Sequence, residues 1–371
     1  MQRHLMKPLL RAIPLAVLLA GCTESAPLAP SFDGVAPEFD RSHAAVDDVT
    51  VLNWNLYIGA DVDVVIGALA SPDPTDDLPA LLAAIATLRE TDFPSRAAAI
   101  ADAIERARPE VVGLQEVWTI DIDLRPLGLA LEVDLDFLAI LESALAARGL
   151  DYDVAAIVTN VEAAPIPGAV LVVDHDAILV DPHRVAVSSR VAQNYVNNLG
   201  PVAPGVTLVR GFVGITGTIG GQSYAFFNTH LEPNLTGLDL TTLRAAQAGE
   251  LLLAVGAAPR AILMGDFNDV PGSLMHHVLA GGGFADMWAA LRSRAPGLTC
   301  CHVEDLSNRR ATFAERIDYV FARGIGRAPR ELVGEIRRLG DAPADRVPGP
   351  EHPLWPSDHA GLLARLLAPR P

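Results

Sequence analysis

The chain has 371 residues, half of them hydrophobic, with 45 Asp plus Glu against 28 Lys plus Arg and a formal net charge of −17. An acidic balance of this size repels polyanions and leaves no basic footprint for general binding to a phosphate backbone, which weighs against a protein built to grip duplex nucleic acid. Lys7 is the only lysine, and a coding bias towards arginine accounts for that more simply than a functional demand does.

The opening stretch MQRHLMKPLLRAIPLAVLLAGC has the layout of an export signal. Arg3, Lys7 and Arg11 form a positive leader, residues 12–20 an apolar segment too short to span a bilayer, and Gly21 a small residue at a cleavage point. LAGC, ending at Cys22, resembles a bacterial lipobox. That resemblance implies a signal over 1–21, lipidation of Cys22, a membrane partner reached through the N-terminal lipid anchor, and export to the cell envelope. Residues 22–48 are rich in Ala, Pro, Ser and Asp with no sustained apolar period, so they read as a lipidated tether. Residues 49–368 remain as one large domain, expected to be monomeric.

Along that domain, VTVLNWNLY (49–57) alternates as a strand does. Ser95 is placed as the N-cap of RAAAIADAIERARP, in which Ile100 and Ile104 share a face and Pro109 stops the helix. EVVGLQEV (110–117) is a strand, and an acidic amphipathic segment covers 124–148. AVLVVDHDAILVD and VTLVRGFVGITGTI are β-rich runs, and GGQSYAFFNTHLEP opens with a Gly-Gly turn suited to a hairpin. Thr241 is placed as the cap of TLRAAQAGELLLAVG, which ends at Gly256. RAILMGDFND, RIDYVFA and HAGLLARLLA supply the late strands. Many strands with few helices between them predict an α/β protein with two packed sheets and helices outside, rather than one doubly wound sheet.

Polar residues gather where these strands end: Asn53 and Asn55, Gln115 and Glu116, Asn228 and His230, Asp266, Asn268 and Asp269, then Asp318, and finally Asp358 and His359. Brought to one rim they form a set of carboxylates, amides and imidazoles without Lys, Ser or Cys. Oxygen donors of this kind suit Mg²⁺, Mn²⁺ or Ca²⁺ better than zinc, and the set suits metal-assisted hydrolysis of a phosphate ester. Asp318 lies between Ile317 and Tyr319 in an apolar run and needs a partner, for which His359 is available. Cys300 and Cys301 could form a vicinal disulfide, stay free or bind metal, with a structural or redox-labile role ranked above a catalytic one. His276, His277, His302 and His352 read as surface or loop histidines, and His175, between Asp174 and Asp176, either tunes a substrate pocket or belongs to a solvated hairpin.

LNWNLY, VVGLQEV, FFNTHLEP, ILMGDFND, ERIDYVF and SDHAGLLA, in this order from about residue 50 to 366, resemble the endonuclease/exonuclease/phosphatase superfamily. Each motif alone is weakly specific; their number and order carry the resemblance. It implies a DNase-I-like fold, a four-layer αββα sandwich with two packed mixed β-sheets, and a role for each motif residue. Asn55 and Glu116 hold the divalent ion, Glu116 as direct ligand, and Asp358 is a further metal-binding or His-orienting carboxylate. Asp266 positions and activates the attacking water, and Asn268 orients that water or the phosphate. His230 contacts phosphate or assists proton transfer. His359 stabilises the transition state, with Asp318 bonded to its other ring nitrogen. Asp269 is the dispensable acid of its motif, and Arg96, Arg210, Arg244 and Gln247 stay outside the reacting set. Tyr57 departs from members that carry an acid two positions after the first asparagine. The activity implied is a metal-dependent phosphodiesterase acting on phospholipid head groups or small organic phosphates. An extracellular nuclease, for which nucleic acid is a substrate only, is the alternative, and a non-catalytic binding lipoprotein is the reading from another class.

Overall fold

The computed structural model describes residues 46–235, 237–326 and 332–369; the export leader, Cys22 and the tether up to residue 45 lie outside the described residues. In chain order, β1 (Val46–Asn55) leads to α1 (Val62–Ala70), α2 (Asp77–Glu90) and α3 (Phe93–Ala107). Next come β2 (Val111–Gln115), β3 (Thr119–Asp123), β4 (Glu132–Asp136) and α4 (Phe137–Ala146). An all-β stretch holds β5 (Asp153–Ala163), β6 (Val170–Val180), β7 (Ala186–Asn194), β8 (Gly200–Ala203), β9 (Val206–Leu208), β10 (Gly211–Ile219) and β11 (Gln222–His230). The last third has α5 (Thr241–Val255), β12 (Ala261–Asp266), α6 (Leu274–Gly281), β13 (Ala285–Asp286) and α7 (Met287–Leu291). It closes with β14 (Asp318–Arg323), β15 (Val333–Leu339) and β16 (Gly361–Pro369).

The strands form two sheets, one in the order β15-β16-β1-β2-β6-β5-β9-β8 with β3 and β4 attached beside β6, the other in the order β13-β14-β12-β11-β10-β7. Both are mixed, because β1 with β2 and β11 with β12 run parallel beside antiparallel neighbours. Alternation along the central strands explains the layers. Val49 and Val51 of β1 enter a core shared with Val213, Ile262 and Met264 of the second sheet. Their neighbours Leu52 and Trp54 pack with Ile100 and Ile104 of α3 and Phe137 of α4. On the second sheet, Leu263 faces outward to Leu251 of α5 and Met275 of α6. The result is the αββα sandwich expected from the sequence. Both faces of its inner strands are covered, which is why they read as unbroken apolar runs.

Near one rim the inter-sheet core turns polar. Gln115 Nε2 donates to Asn53 Oδ1 at 2.8 Å and also to Asn228 Oδ1. Asn53 Nδ2 donates to Gly265 O at 3.1 Å, and Asn228 Nδ2 donates to Leu114 O at 2.8 Å and Ala177 O at 3.0 Å. These three amides are fully buried and tie the sheets together, one layer beneath the rim where the sequence reading set them. Gly113 leaves room for them, since a Cβ there would come within 2.8 Å of Asn228 Oδ1.

Several boundaries differ from expectation. α3 starts at Phe93, with Pro94 in its first turn, where a preset φ favours helix entry. Ser95 therefore lies inside the helix, bonded to Asp92, instead of capping it. Likewise Thr241 is the first residue of α5, and Asp239 Oδ1 accepts from its N–H at 3.0 Å. Segment 124–148 is divided: β4 pairs with β3, and Asp136 then caps α4 by accepting from Ala139 N–H. VTLVRGFVGITGTI also splits, into β9 of the first sheet and β10 of the second, with Arg210 at the crossing.

Candidate active site

Strand polarity brings the motif residues to one end of the sandwich. Parallel pairing aligns Asn55 with Gln115, so Glu116 follows directly beyond β2. The β11–β12 register sets His230 beside Asp266, and antiparallel β14 starts where β12 ends, setting Asp318 beside Asp266. Asp358 and His359 precede β16, and Ser357 fastens them: its hydroxyl donates to Asn55 O at 2.7 Å and accepts from His359 N–H at 3.1 Å. Glu116, His230, Asp266, Asn268, Asp358 and His359 line one cavity of about 470 Å³. Asn55 and Asp318 stand behind them, fully buried.

The two histidines have opposite protonation preferences. His359 Nδ1 donates to Asp318 Oδ2 at 2.8 Å, which leaves Nε2–H facing Asp266 Oδ2 and Asp358 Oδ1, each at 3.8 Å. Burial alone would keep this ring neutral, but the Asp318, Asp358 and Asp266 carboxylates outweigh it and hold His359 protonated well above the ordinary histidine range. His230 Nδ1 lies 3.1 Å from Arg210 Nη1. A guanidinium has no acceptor, so Nδ1 accepts and the proton sits on Nε2, 3.5 Å from Asp266 Oδ2. Burial, then the Arg210 and His359 charges, hold His230 neutral. One imidazolium and one neutral donor thus flank the same carboxylate. Burial, followed by the Asp318 charge, pushes Asp266 up to about 7 despite the pull of His359, the Asn268 N–H and Asn55.

Glu116 occupies a strained position, at φ +55, in the left-handed region that costs a non-glycine residue about 1 kcal/mol or more. Its carboxylate accepts from Asn55 Nδ2 at 3.0 Å and from Ile58 N–H at 2.8 Å, which aims it. Asn55 Oδ1 is taken by Tyr57 N–H at 2.9 Å, and its amide nitrogen also reaches Asp266 Oδ2 at 3.1 Å. Asn55 therefore orients the Glu116 and Asp266 carboxylates through its amide nitrogen while its Oδ1 accepts from the backbone. Asp358 is likewise pushed up to about 7, by burial first and with Glu116 and Asp318 adding to it, against His359 and Arg96. The half-buried Glu116 and Asp358 and the buried Asp266 form a hard oxygen donor set, and a divalent cation fits it. Asp266, Asp318 and His359 also bring ligand atoms within 4.8 Å of one another, but the His359 and Asp318 atoms that face each other already share a hydrogen bond.

Asn268, at φ +50, donates from Nδ2 to Leu231 O at 3.0 Å, and its N–H donates to Asp266 Oδ1 at 2.9 Å. Asp269 Oδ2 lies 3.3 Å from Arg244 Nε and is absent from the cavity lining.

Some residues differ from their sequence-based placement. Arg210, set aside as structural, lines the cavity between His230 and the buried Asp174, whose Oδ2 lies 3.4 Å from it. Asp174 and Asp176, on either side of His175, are both buried, so of the two readings of that stretch the solvated hairpin does not hold; only the alternation of β6 could have shown that they face inward. His302 is buried and stacked between Phe313 and Trp355, and burial, followed by the His359 and Arg346 charges, lowers it to about 3. Cys300 and Cys301 are joined as a vicinal disulfide across a cis peptide bond, with Cys301 Sγ 3.9 Å from His359 Nε2. Arg96, by contrast, is structural as expected: it donates to Thr91 O, Leu56 O, Pro356 O and Tyr57 O, clamping the loop after β1 to the loop before β16.

The sequence profile of the Endonuclease/Exonuclease/phosphatase family matches residues 52–359. No curated protein matches the chain in sequence. Among solved structures, an endonuclease/exonuclease/phosphatase family protein from Bacteroides thetaiotaomicron aligns with a TM-score of 0.55 at 17% identity, over 88% of this chain and 100% of that one. The endonuclease/exonuclease/phosphatase from Beutenbergia cavernae DSM 12333 gives 0.55 at 22% identity, over 87% and 72%. A mannosyl-6-phosphatase from Bacteroides thetaiotaomicron VPI-5482 gives 0.52 at 16% identity, over 86% and 99%. At these identities the structures establish a shared fold.

Proposed function

Because the chain belongs to the endonuclease/exonuclease/phosphatase family, whose members are typically hydrolases of phosphoester bonds, we propose that it is a divalent-metal-dependent phosphodiesterase acting on phospholipid head groups or small organic phosphates. The observation that carries this reading is the Asp266 carboxylate, pushed up to about 7 between a protonated His359 and a neutral His230 at the floor of one cavity.

A general base works best when its pKa lies near the working pH, and Asp266 meets that condition. Asp266 orients a water and takes its proton as the oxygen attacks phosphorus in line with the departing alkoxide oxygen, which leaves as the alcohol once the proton held by Asp266 is passed on through solvent. His230 Nε2–H and His359 Nε2–H donate to the oxygens on which charge builds; Arg210 fixes the tautomer of the neutral His230, and Asp318 orients the His359 imidazolium and holds its charge. Asn268 supports Asp266 through its N–H and turns its side chain to the backbone of Leu231. Mg²⁺, or Mn²⁺ or Ca²⁺ in its place, held by Glu116 with Asp358 beside it, would neutralise charge on the phosphoryl oxygens. The substrate preference rests on charge: Asp61, Asp63 and Glu304 line the same cavity, where a polyanionic strand would meet repulsion. The LAGC motif supports export and anchoring of the enzyme through Cys22, and release of a Cys22→Ala variant from the membrane fraction checks this.

Hydrolysis of bis-p-nitrophenyl phosphate with Mg²⁺, abolished by EDTA and by both Asp266→Asn and His359→Ala, tests the activity. No turnover with any divalent metal overturns it and favours a non-catalytic lipoprotein. A parallel panel of plasmid DNA, RNA, phosphatidylcholine and inositol phosphates ranks the substrates, and activity on DNA far above the rest overturns the substrate preference.

A further inference from the structure

The cavity is two-faced. Its polar residues sit together at the rim of the sheets, and the remainder of its wall is almost entirely aliphatic. That wall is built by α1 and α2 on one side and by β3, β5, β6 and β9 on the other, with Ile66, Leu69, Ala84, Ile122, Val172 and Val206 among its residues. The pattern has a local origin. α1 and α2 turn Val65, Ile66 and Leu69, and Leu81, Ala84 and Ile85, to this side, while Ile120 and Ile122 of β3 alternate with the solvated Thr119 and Asp121. Ile66, Leu69 and Ala84 are only half-buried although they pack beside the main core, so the space between the helices and the sheet stays open.

A site for a compact polar phosphate has no use for such a wall, since half-exposed aliphatic side chains raise the free energy of the empty site without touching a polar ligand. Small-molecule pockets that are largely apolar with a few convergent polar groups take ligands of the same division. The aliphatic part is continuous with the floor that holds Asp266, His230 and His359, so a ligand filling it is tethered to the reacting phosphorus. At the other end, Arg210 is the one Arg or Lys in the cavity lining among the described residues, and Asp61, Asp63 and Glu304 are acidic, which fits a single phosphate group and opposes a polyphosphate.

We propose that this aliphatic wall between α1, α2 and the first sheet is a binding subsite for a hydrocarbon chain of the substrate, making the preferred substrate an aliphatic phosphoester. The inference rests on the phosphodiesterase reading for the reacting end and adds the recognition of the chain.

Alkyl p-nitrophenyl phosphates from methyl to decyl, kept below their micelle concentrations, provide the test with Mg²⁺. Burying each added methylene is expected to raise kcat/KM about fourfold until the pocket is filled. Ala84→Trp, which fills the space between α2 and the sheet, is expected to collapse the decyl-to-methyl ratio. Calorimetry with dodecyl phosphate against methyl phosphate reads the subsite without turnover and keeps the test valid if the variant does not fold. Turnover of the methyl ester with no dependence on chain length overturns the subsite and leaves the phosphodiesterase reading standing. Chain-dependent binding without turnover does the reverse. Competition by dodecyl phosphate and by lauroyl-lysophosphatidylcholine separates a free alkyl phosphate from a glycerol-linked lipid as the source of the chain. Inhibition by either supports the subsite, and inhibition by neither overturns it.

Discussion

Asp318→Asn isolates how the site sets the charge of His359. The carboxylate accepts from His359 Nδ1 at 2.8 Å, both residues are buried, and asparagine can keep the hydrogen bond through Oδ1 while losing the charge. A hydrogen bond to a charged group contributes about 1.5–3 kcal/mol and a neutral one about 0.5–1.5 kcal/mol, so losing the charge-assisted part of about 1–1.5 kcal/mol predicts a fall in kcat of about 5- to 12-fold near neutral pH. The direction of the pH effect follows from the same contacts. His359 is held protonated mainly by Asp318, so in the variant its pKa drops and activity fails at a lower alkaline pH. The Asp318 charge also raises Asp266, so the acid limb moves down as well. A kcat–pH profile of wild type and variant, with circular dichroism to confirm folding, is the assay. The whole bell should shift to lower pH, and the deficit should shrink as the medium is acidified. An unshifted profile with a loss under about threefold would refute the argument that Asp318 sets the protonation of His359.

Asp266→Asn and Asp269→Asn, made separately, should differ. The first lowers kcat by about 10²- to 10⁴-fold, the range for a positioned base. The second leaves kcat within about threefold but strands the buried Arg244, lowering stability by about 3 kcal/mol in urea unfolding. Arg96→Met should lower unfolding free energy by about 3–5 kcal/mol, since four buried carbonyls lose their donor at about 1–3 kcal/mol each with incomplete additivity; a loss under about 1 kcal/mol would show that the clamp is dispensable. His302 is lowered to about 3 in the fold against an ordinary value near 6.5, so the unfolded chain binds the proton more readily. Its contribution to stability is complete above about pH 6.5 and is lost as pH falls towards 3, and His302→Gln should flatten that dependence in urea midpoints measured from pH 7 to 5.

The layered fold was legible because the inner strands bury both faces, which writes continuous apolar runs such as AILMG and VVGL into the chain, and because each run stops at a polar residue that the strand polarity then carries to one rim. Asp318 was legible as half of a pair because an aspartate between Ile317 and Tyr319 has no other way to be buried. What the sequence concealed depends on contacts distant along the chain. Arg210 looks like any arginine between two β-rich runs until β9 and β10 part into different sheets and leave it against His230. Asn55 carries both a donor and an acceptor, and only the Tyr57 N–H decides which of them faces the carboxylates. The aliphatic half of the cavity was hidden for a related reason, since residues such as Ile66 and Ala84 read as ordinary helix core until the gap beside them is seen.

The central claim is a single in-line displacement in which water, oriented by Asp266, attacks phosphorus. The stereochemical course of hydrolysis at a chiral phosphorothioate diester, run in ¹⁸O-labelled water with Mg²⁺, tests it most directly. The account predicts inversion at phosphorus with one labelled oxygen in the product. Retention would contradict it, because two displacements and a covalent enzyme intermediate would then be required.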